Sequence, residues 1–478
     1  MRRRPRWHDN LAAQVTDLAG HPFIPNSAPS ITAALLRHIG VERTDDLYAS
    51  IPPRLRVSHD LDLPGPIASE PELERCFGDL LVRETESTAM LCFLGGGCWP
   101  HHVPAVCEEI VSRAEFLTAY WANAYTDHGK YQAFFEYASL LGEVLEMDCV
   151  SLPTYDWGMA AGVSLRMACR ITGRRRVLVT DSIGPDRSAI LRTYLQPDVD
   201  ITWLTTRPGA GTLDLDALAA AVGKDVAALY FESPTYLGAI EPSPADVTAT
   251  VHEAGALVVV GVDPISLGVL APPGSYGADI ACGELQSLGV PMLYGGGLAG
   301  FVASCDEERF VREYPTFLIG RTDTAVPGEH GFGLVASDRS SYMRREHGKD
   351  FGGTTTALWG IAAAVYLSLL GPHGLRELGE GILQRRAYAA ARLSEIVGVG
   401  LPAAGVPRFK EFPVSFAETG LSVAQINQRL LHRGILGGHE ISANDPALVG
   451  SALYCVTEIH SKSDIDRLTQ ALTEAVRE

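Results

Sequence analysis

The chain has 478 residues, 46% of them apolar and 20% charged, and a formal net charge of −18. Its length exceeds what one simple core organises and implies two or three domains, while the composition excludes wholesale disorder. The acidic balance argues against a nucleic-acid binder, whose footprint is a basic face. Only five lysines occur (Lys130, Lys224, Lys349, Lys410 and Lys462), and arginine supplies the other 34 basic residues. Any chemistry that needs a lysine therefore has five candidates.

Taken in chain order, Met1–Arg6 is basic but no apolar run follows it, so it is not a secretory signal. Residues 1–85 are rich in Pro and Arg and read as an N-terminal arm with short helices at Ile31–Ile39 and Glu72–Leu81. Over 86–335, β-branched runs at Val177–Thr180, Ile201–Leu204, Ala227–Phe231, Leu257–Val262, Ile280–Cys282 and Gly300–Ser304 alternate with Gly/Pro or helical segments. Asp214–Val222 and Pro244–Ala254 carry helical spacing, and the alternation predicts an α/β domain with a mostly parallel sheet covered on both faces. Ala357–Leu370 is apolar but too short to span a bilayer, and reads as a buried core helix stopped at Gly371-Pro-His-Gly374. A helix from about Arg376 to Val397 follows, then a strand near Phe409–Phe416, a helix at Val423–Arg433 and a strand at Ala452–Thr457. The last helix starts at Ser463 as N-cap, with Ile465, Leu468, Leu472 and Val476 on one face. Residues 336–478 thus form a small C-terminal α+β domain. The nine cysteines are an odd set without a C-x-x-C pair, which fits free thiols in a reducing, cytoplasmic setting.

Few stretches could carry chemistry. Gly295-Gly-Gly-Leu-Ala-Gly300 satisfies G-x-G-x-x-G formally, but the residues after it read as a strand where a dinucleotide site needs a helix. It is read as a turn. Cys98-Trp-Pro-His-His102 has no second cluster to complete a metal site, so no metal is expected and His101 and His102 read as the polar lining of a pocket. Asp263 ends the apolar run Val258–Val262, where open α/β sheets place ligand groups. An acid there can keep a pyridine nitrogen protonated, or simply cap the turn at Pro264. A pyridoxal enzyme of this architecture would carry its Schiff-base lysine in Gly283-Glu-Leu-Gln-Ser-Leu-Gly289, and there is none. Lys224 precedes a strand, Lys130 and Lys349 sit in polar, loop-like contexts, and Lys410 and Lys462 fall in the C-terminal domain.

Ordered motifs along the chain resemble one family. They are Phe23-Ile-Pro-Asn26, Phe93-Leu-Gly-Gly-Gly97 with His102-Val-Pro-Ala105, Ser112–Tyr120, Phe135-Glu-Tyr137, Asp263-Pro-Ile-Ser-Leu-Gly268, Gly283–Gly289, Arg344-Arg-Glu346, Ala363–Gly371 and Gly434-Ile-Leu-Gly-Gly438. They resemble the glycine dehydrogenase (decarboxylating) family, the P-protein of the glycine cleavage system, and within it the alpha subunit of the split two-chain form. The resemblance implies a fold type I pyridoxal phosphate architecture and a lysine-bearing beta subunit that holds the pyridoxal phosphate. It also implies a small amino acid substrate, glycine, whose aminomethyl group passes to the lipoyl carrier H-protein, and no membrane or nucleic-acid partner. On this reading Asp263, Tyr155, Asp156, Gln286, Ser287, His101 and His102 line a vestigial or interface cofactor pocket, Arg344 and Arg345 bind a substrate's carboxylate or a phosphate bidentately or else solvate a helix face, and no residue of this chain is catalytic by itself. Departures from the family pattern fall at Phe351–Thr356, at the bulky Trp157 in Tyr155-Asp-Trp-Gly-Met159, at Thr457–Lys462 and at Lys130. They keep two alternatives open: a two-chain pyridoxal enzyme acting on another small amino acid, and a non-catalytic scaffold or regulatory subunit.

Overall fold

A computed structural model of the chain describes residues 24–25, 27–57, 59, 62–67, 69–82, 84, 90–117, 128–335, 339–340, 345–350, 352, 356–441 and 445–478. Two compact units are present, Met1–Glu86 and Ser87–Glu478. In the first, α1 (Pro29–Ile39) and α2 (Glu70–Leu81) contain the two expected helices. Both carry Pro in the first turn, where its missing N–H leaves no bond unmade, and neither buries a residue.

The second unit carries the chemistry-bearing residues. Its chain begins with β1 (Leu91–Cys92), α3 (Ala105–Val111), α4 (His128–Leu145) and β2 (Cys149–Val150). There follow α5 (Trp157–Thr172), β3 (Arg176–Thr180), α6 (Pro185–Leu195), β4 (Asp200–Leu204), α7 (Leu215–Ala221), β5 (Val226–Glu232), α8 (Pro244–Glu253), β6 (Leu257–Val262), β7 (Ile280–Glu284) and β8 (Gly300–Ser304). These build a seven-stranded sheet in the order β2-β8-β7-β6-β5-β3-β4. From β7 to β4 every pairing is parallel; β8 and β2 are antiparallel to their neighbours.

Strands β5 to β8 are buried at every position, because helices cover both faces of a parallel sheet. Alternate side chains supply two cores. On one face Leu229, Val258, Val260 and Phe301 meet Tyr137 and Leu141 of α4. On the other, Tyr230, Val259, Cys282 and Val302 meet Met159, Val163 and Met167 of α5.

Downstream come α9 (Glu308–Val311), the hairpin β9 (Ile319–Asp323) and β10 (His330–Leu334), and the long α10 (Ala357–Ser394). By length and composition α10 could cross a membrane, yet it breaks at Gly371 and packs Ala363, Tyr366 and Leu367 into the core of the sheet. The break, at φ +59 and ψ −176, is the expected stop. The second segment starts at once from Pro372, earlier than the expected Arg376, since proline's fixed φ suits a first helical turn.

The C-terminal lobe holds β11 (Glu411–Ser415), α11 (Val423–Leu431), β12 (Ile435–Leu436), β13 (His439–Glu440), β14 (Ser451–Cys455) and α12 (Lys462–Ala475). Its antiparallel sheet runs β11-β14-β13, and β12 pairs in parallel with β1. Ile465, Leu468 and Leu472 of α12 pack on Phe412, Val414 and Tyr454. The N-cap of α12 is Ser461, not Ser463: Ser461 and Asp464 exchange a capping box. Lys130 also departs from expectation, lying buried within α4 rather than in a loop.

Candidate functional site

The pairing of two loops creates the site. The segment before β11 runs antiparallel to the loop after β5, with Ile240 N donating to Pro407 O at 2.9 Å and Phe409 N to Gly238 O at 2.8 Å. Gly238 sits at φ +76, and a Cβ there would lie 1.8 Å from the Glu411 carbonyl oxygen. Only glycine permits so close an approach. It delivers the Lys410 side chain to the C-terminal end of β6, where Asp263 stands.

Lys410 belongs to the C-terminal lobe by chain position, but its side chain enters the sheet's cleft. Its Nζ lies 2.7 Å from Asp263 Oδ2, with both side chains less than 5% exposed. The contact is an ion pair rather than an aligned hydrogen bond. The same ammonium lies 3.3 Å from the centroid of the Trp99 ring and 3.1 Å from His101 Nε2. Asp263 Oδ1 accepts from Ser287 Oγ at 3.0 Å and from Ile265 N at 3.3 Å. Of the two roles read for Asp263, the cap of the turn at Pro264 is seen in the Ile265 amide bond, while its other oxygen faces the Lys410 side chain.

The segment that lacks a lysine is used to hold two tryptophans. Gln286 accepts from Trp99 N at 3.0 Å and donates to Trp99 O at 3.1 Å, a two-point clamp on that backbone. Glu284 accepts from the amides of Ala299, Trp157 and Gln286; burial nevertheless pushes its carboxyl up to about 8. Trp157 opens α5 behind the N-cap Asp156, whose carboxylate takes the Met159 amide at 2.6 Å. Its ring lies 4.3 Å from the guanidinium of Arg187. Arg187 in turn grips Glu232 with two bonds of 2.7 and 2.8 Å, and Tyr230 donates to the same carboxylate.

His101 links this cluster to the loop after β14. Its Nδ1 is 2.8 Å from Glu458 Oε2, and the His102 amide donates to Glu458 Oε1 at 2.6 Å. Burial alone would raise the Glu458 carboxyl, but contact with His101 and the amide bonds outweigh it and hold the group at about 2.

The structure therefore brings together Asp263, Gln286, Ser287 and His101. Asp156 serves as a helix cap, Tyr155 is 42% exposed, and His102 is engaged through its backbone. Arg344 lies outside the described residues, as do Phe351 and 353–355; Arg345 opens a short turn at Arg345–His347. The residues missed from the sequence are Lys410, Trp99, Arg187, Glu232, Glu284 and Glu411. Trp157 was noticed only as a departure from the family pattern. Among the described residues no group of His, Cys, Asp and Glu could hold a metal ion.

Pyridoxal phosphate does not fit these residues. Both oxygens of Asp263 are engaged by Ser287, Ile265 and Lys410. The space bounded by Trp99, Trp157, Arg187, Asp263, Lys410 and Glu411 amounts to about 10 Å³, room for one water. A pyridine nitrogen against Asp263 would have to displace the Lys410 ammonium.

Comparison with known proteins sets this geometry in context. The "Probable glycine dehydrogenase (decarboxylating) subunit 1" of Staphylothermus marinus is 38% identical over 467 residues, 96% of this chain and 99% of that protein. A crystal structure of glycine decarboxylase (P-protein) of the glycine cleavage system, in inhibitor-bound form, superposes with a TM-score of 0.79 at 33% identity, covering 95% of this chain and 100% of that one. The sphingosine-1-phosphate lyase of Burkholderia pseudomallei, at 17% identity and a TM-score of 0.62 over 90% of this chain and 94% of that one, shares the fold alone. That fold is the fold type I architecture of pyridoxal phosphate enzymes, as expected. The family model for the glycine cleavage system P-protein matches residues 22–472, and the chain belongs to that family.

Proposed function

We propose that this chain is the alpha-type subunit, subunit 1, of a two-chain glycine decarboxylase. It completes a complex with a lysine-bearing second subunit that holds the pyridoxal phosphate, and the aminomethyl group from glycine passes to a lipoyl carrier protein. One observation carries the reading: full-length similarity to subunit 1 chains in a protein whose segment after β7 offers Glu284, Gln286 and Ser287 where a Schiff-base lysine would be needed. Co-purification with a candidate second subunit, followed by exchange of labelled carbon dioxide into the glycine carboxyl, tests it. Exchange is expected only with both chains present. Exchange by this chain alone contradicts the reading, and preference for another amino acid in the same assay would redirect it to a related substrate.

A further inference from the structure

We propose that Lys410 takes the place of a cofactor cation against Asp263, so that this chain's own site is filled from within and rivets the C-terminal lobe to the large sheet. This deepens the reading above, on which it rests for the identity of the excluded ligand, by naming the group that closes the site.

Four observations converge on it. Asp263 ends a parallel strand where the fold places a ligand's charge, and the cation it meets is Lys410 at 2.7 Å. That ammonium is saturated: a carboxylate on one side, His101 Nε2 at 3.1 Å, and the face of Trp99 at 3.3 Å. A cation desolvated over an indole face is held by the ring's quadrupole as well as by its counter-ion. The aromatic lid is not loose, because Gln286 clamps Trp99 through both its backbone N and O. Finally the Lys410 stem is tied at its backbone, its carbonyl accepting from Val456 N at 2.9 Å. Lys410 comes from the C-terminal lobe, Asp263 and Gln286 from the sheet, and Trp99 and His101 from the loop after β1. The ion pair and the clamp therefore tie three parts of the chain into one contact, the cohesion a bound cofactor lends in a loaded site. Breaking a buried pair by removing one partner leaves an uncompensated charge, whereas replacing both is far milder.

Two measurements on the full chain, purified without a second subunit, test this. The first is a titration with 4′-deoxypyridoxine 5′-phosphate followed by tryptophan fluorescence. This probe lacks the aldehyde, so absence of a Schiff-base lysine cannot by itself prevent binding. No saturable quenching is expected at millimolar probe; saturable binding of one probe per chain would overturn the proposal. The second compares thermal midpoints of Lys410→Met, Asp263→Asn and the double variant. Each single change is expected to lower the midpoint by about 5 °C, and the double variant to fall by clearly less than the two losses combined. An unchanged midpoint for Lys410→Met, or strict additivity, would overturn it. Should a single variant fail to fold, the titration of the unaltered chain still decides. Failure here is separable from failure of the proposed function, because neither readout depends on turnover or on the second subunit.

Discussion

Glu458 shows how burial and contact trade off at one side chain. Its carboxyl, held at about 2 by His101 and the His102 amide, has an unfolded value near 4.3. A depressed carboxyl contributes stability that is present above the unfolded value and lost as pH falls toward the folded one. Between roughly pH 4.3 and 2 the chain should therefore lose on the order of 3 kcal/mol from this group. Thermal midpoints across that window should fall more steeply for the native chain than for Glu458→Gln, and parallel curves would contradict the assignment. Arg187 makes a second prediction. Its partner Glu232 has a side chain with no exposure, so Arg187→Met should cost about 3–5 kcal/mol in denaturant unfolding, much of it recovered by adding Glu232→Gln. A loss below about 1 kcal/mol would mean that the pair is not buried as described. At this scale Asp263 was legible because an acid closing an apolar strand has few roles. Lys410 was not, because its place depends on a long flexible stem and on a loop pairing distant in sequence. Arg187 and Glu232 gave no local signal for the same reason.

The elements explain why that pairing is possible. The loop after β5 and the segment before β11 approach so closely that a Cβ on Gly238 would overlap the Glu411 carbonyl. Gly238→Ala should thus move Glu411 and with it Lys410, at a cost of about 3 kcal/mol or more. A small change in unfolding midpoint with unaltered near-ultraviolet dichroism would contradict it. The buried parallel strands and the helices α7, α8 and α12 were legible as elements, since apolar runs and 3.6-residue spacing follow directly from burial on two faces or one. The two-residue strands β1, β2, β12 and β13 were not. Two residues carry no periodicity, and each exists because a neighbouring strand offers free backbone groups. The N-cap of α12 moved by two residues because Ser461 finds Asp464 three positions on, a reciprocal bond that Ser463 does not make.

For the whole molecule, the fold is the fold type I architecture shared with its solved neighbours, while at the end of β6 Asp263 is met by Lys410 of the same chain. The family was legible from motifs spread along the sequence, and the missing lysine from the segment Gly283–Gly289, which holds none of the five. That the site is filled rather than merely lacking its nucleophile was not, because it takes tertiary structure to bring Lys410, Trp99 and Trp157 around Asp263. The most direct test is borohydride reduction of the co-purified complex with pyridoxal phosphate, followed by peptide mapping of the pyridoxyl label. The label should fall on a lysine of the second subunit and on none of the five lysines here; a pyridoxyl-lysine on this chain would contradict the account.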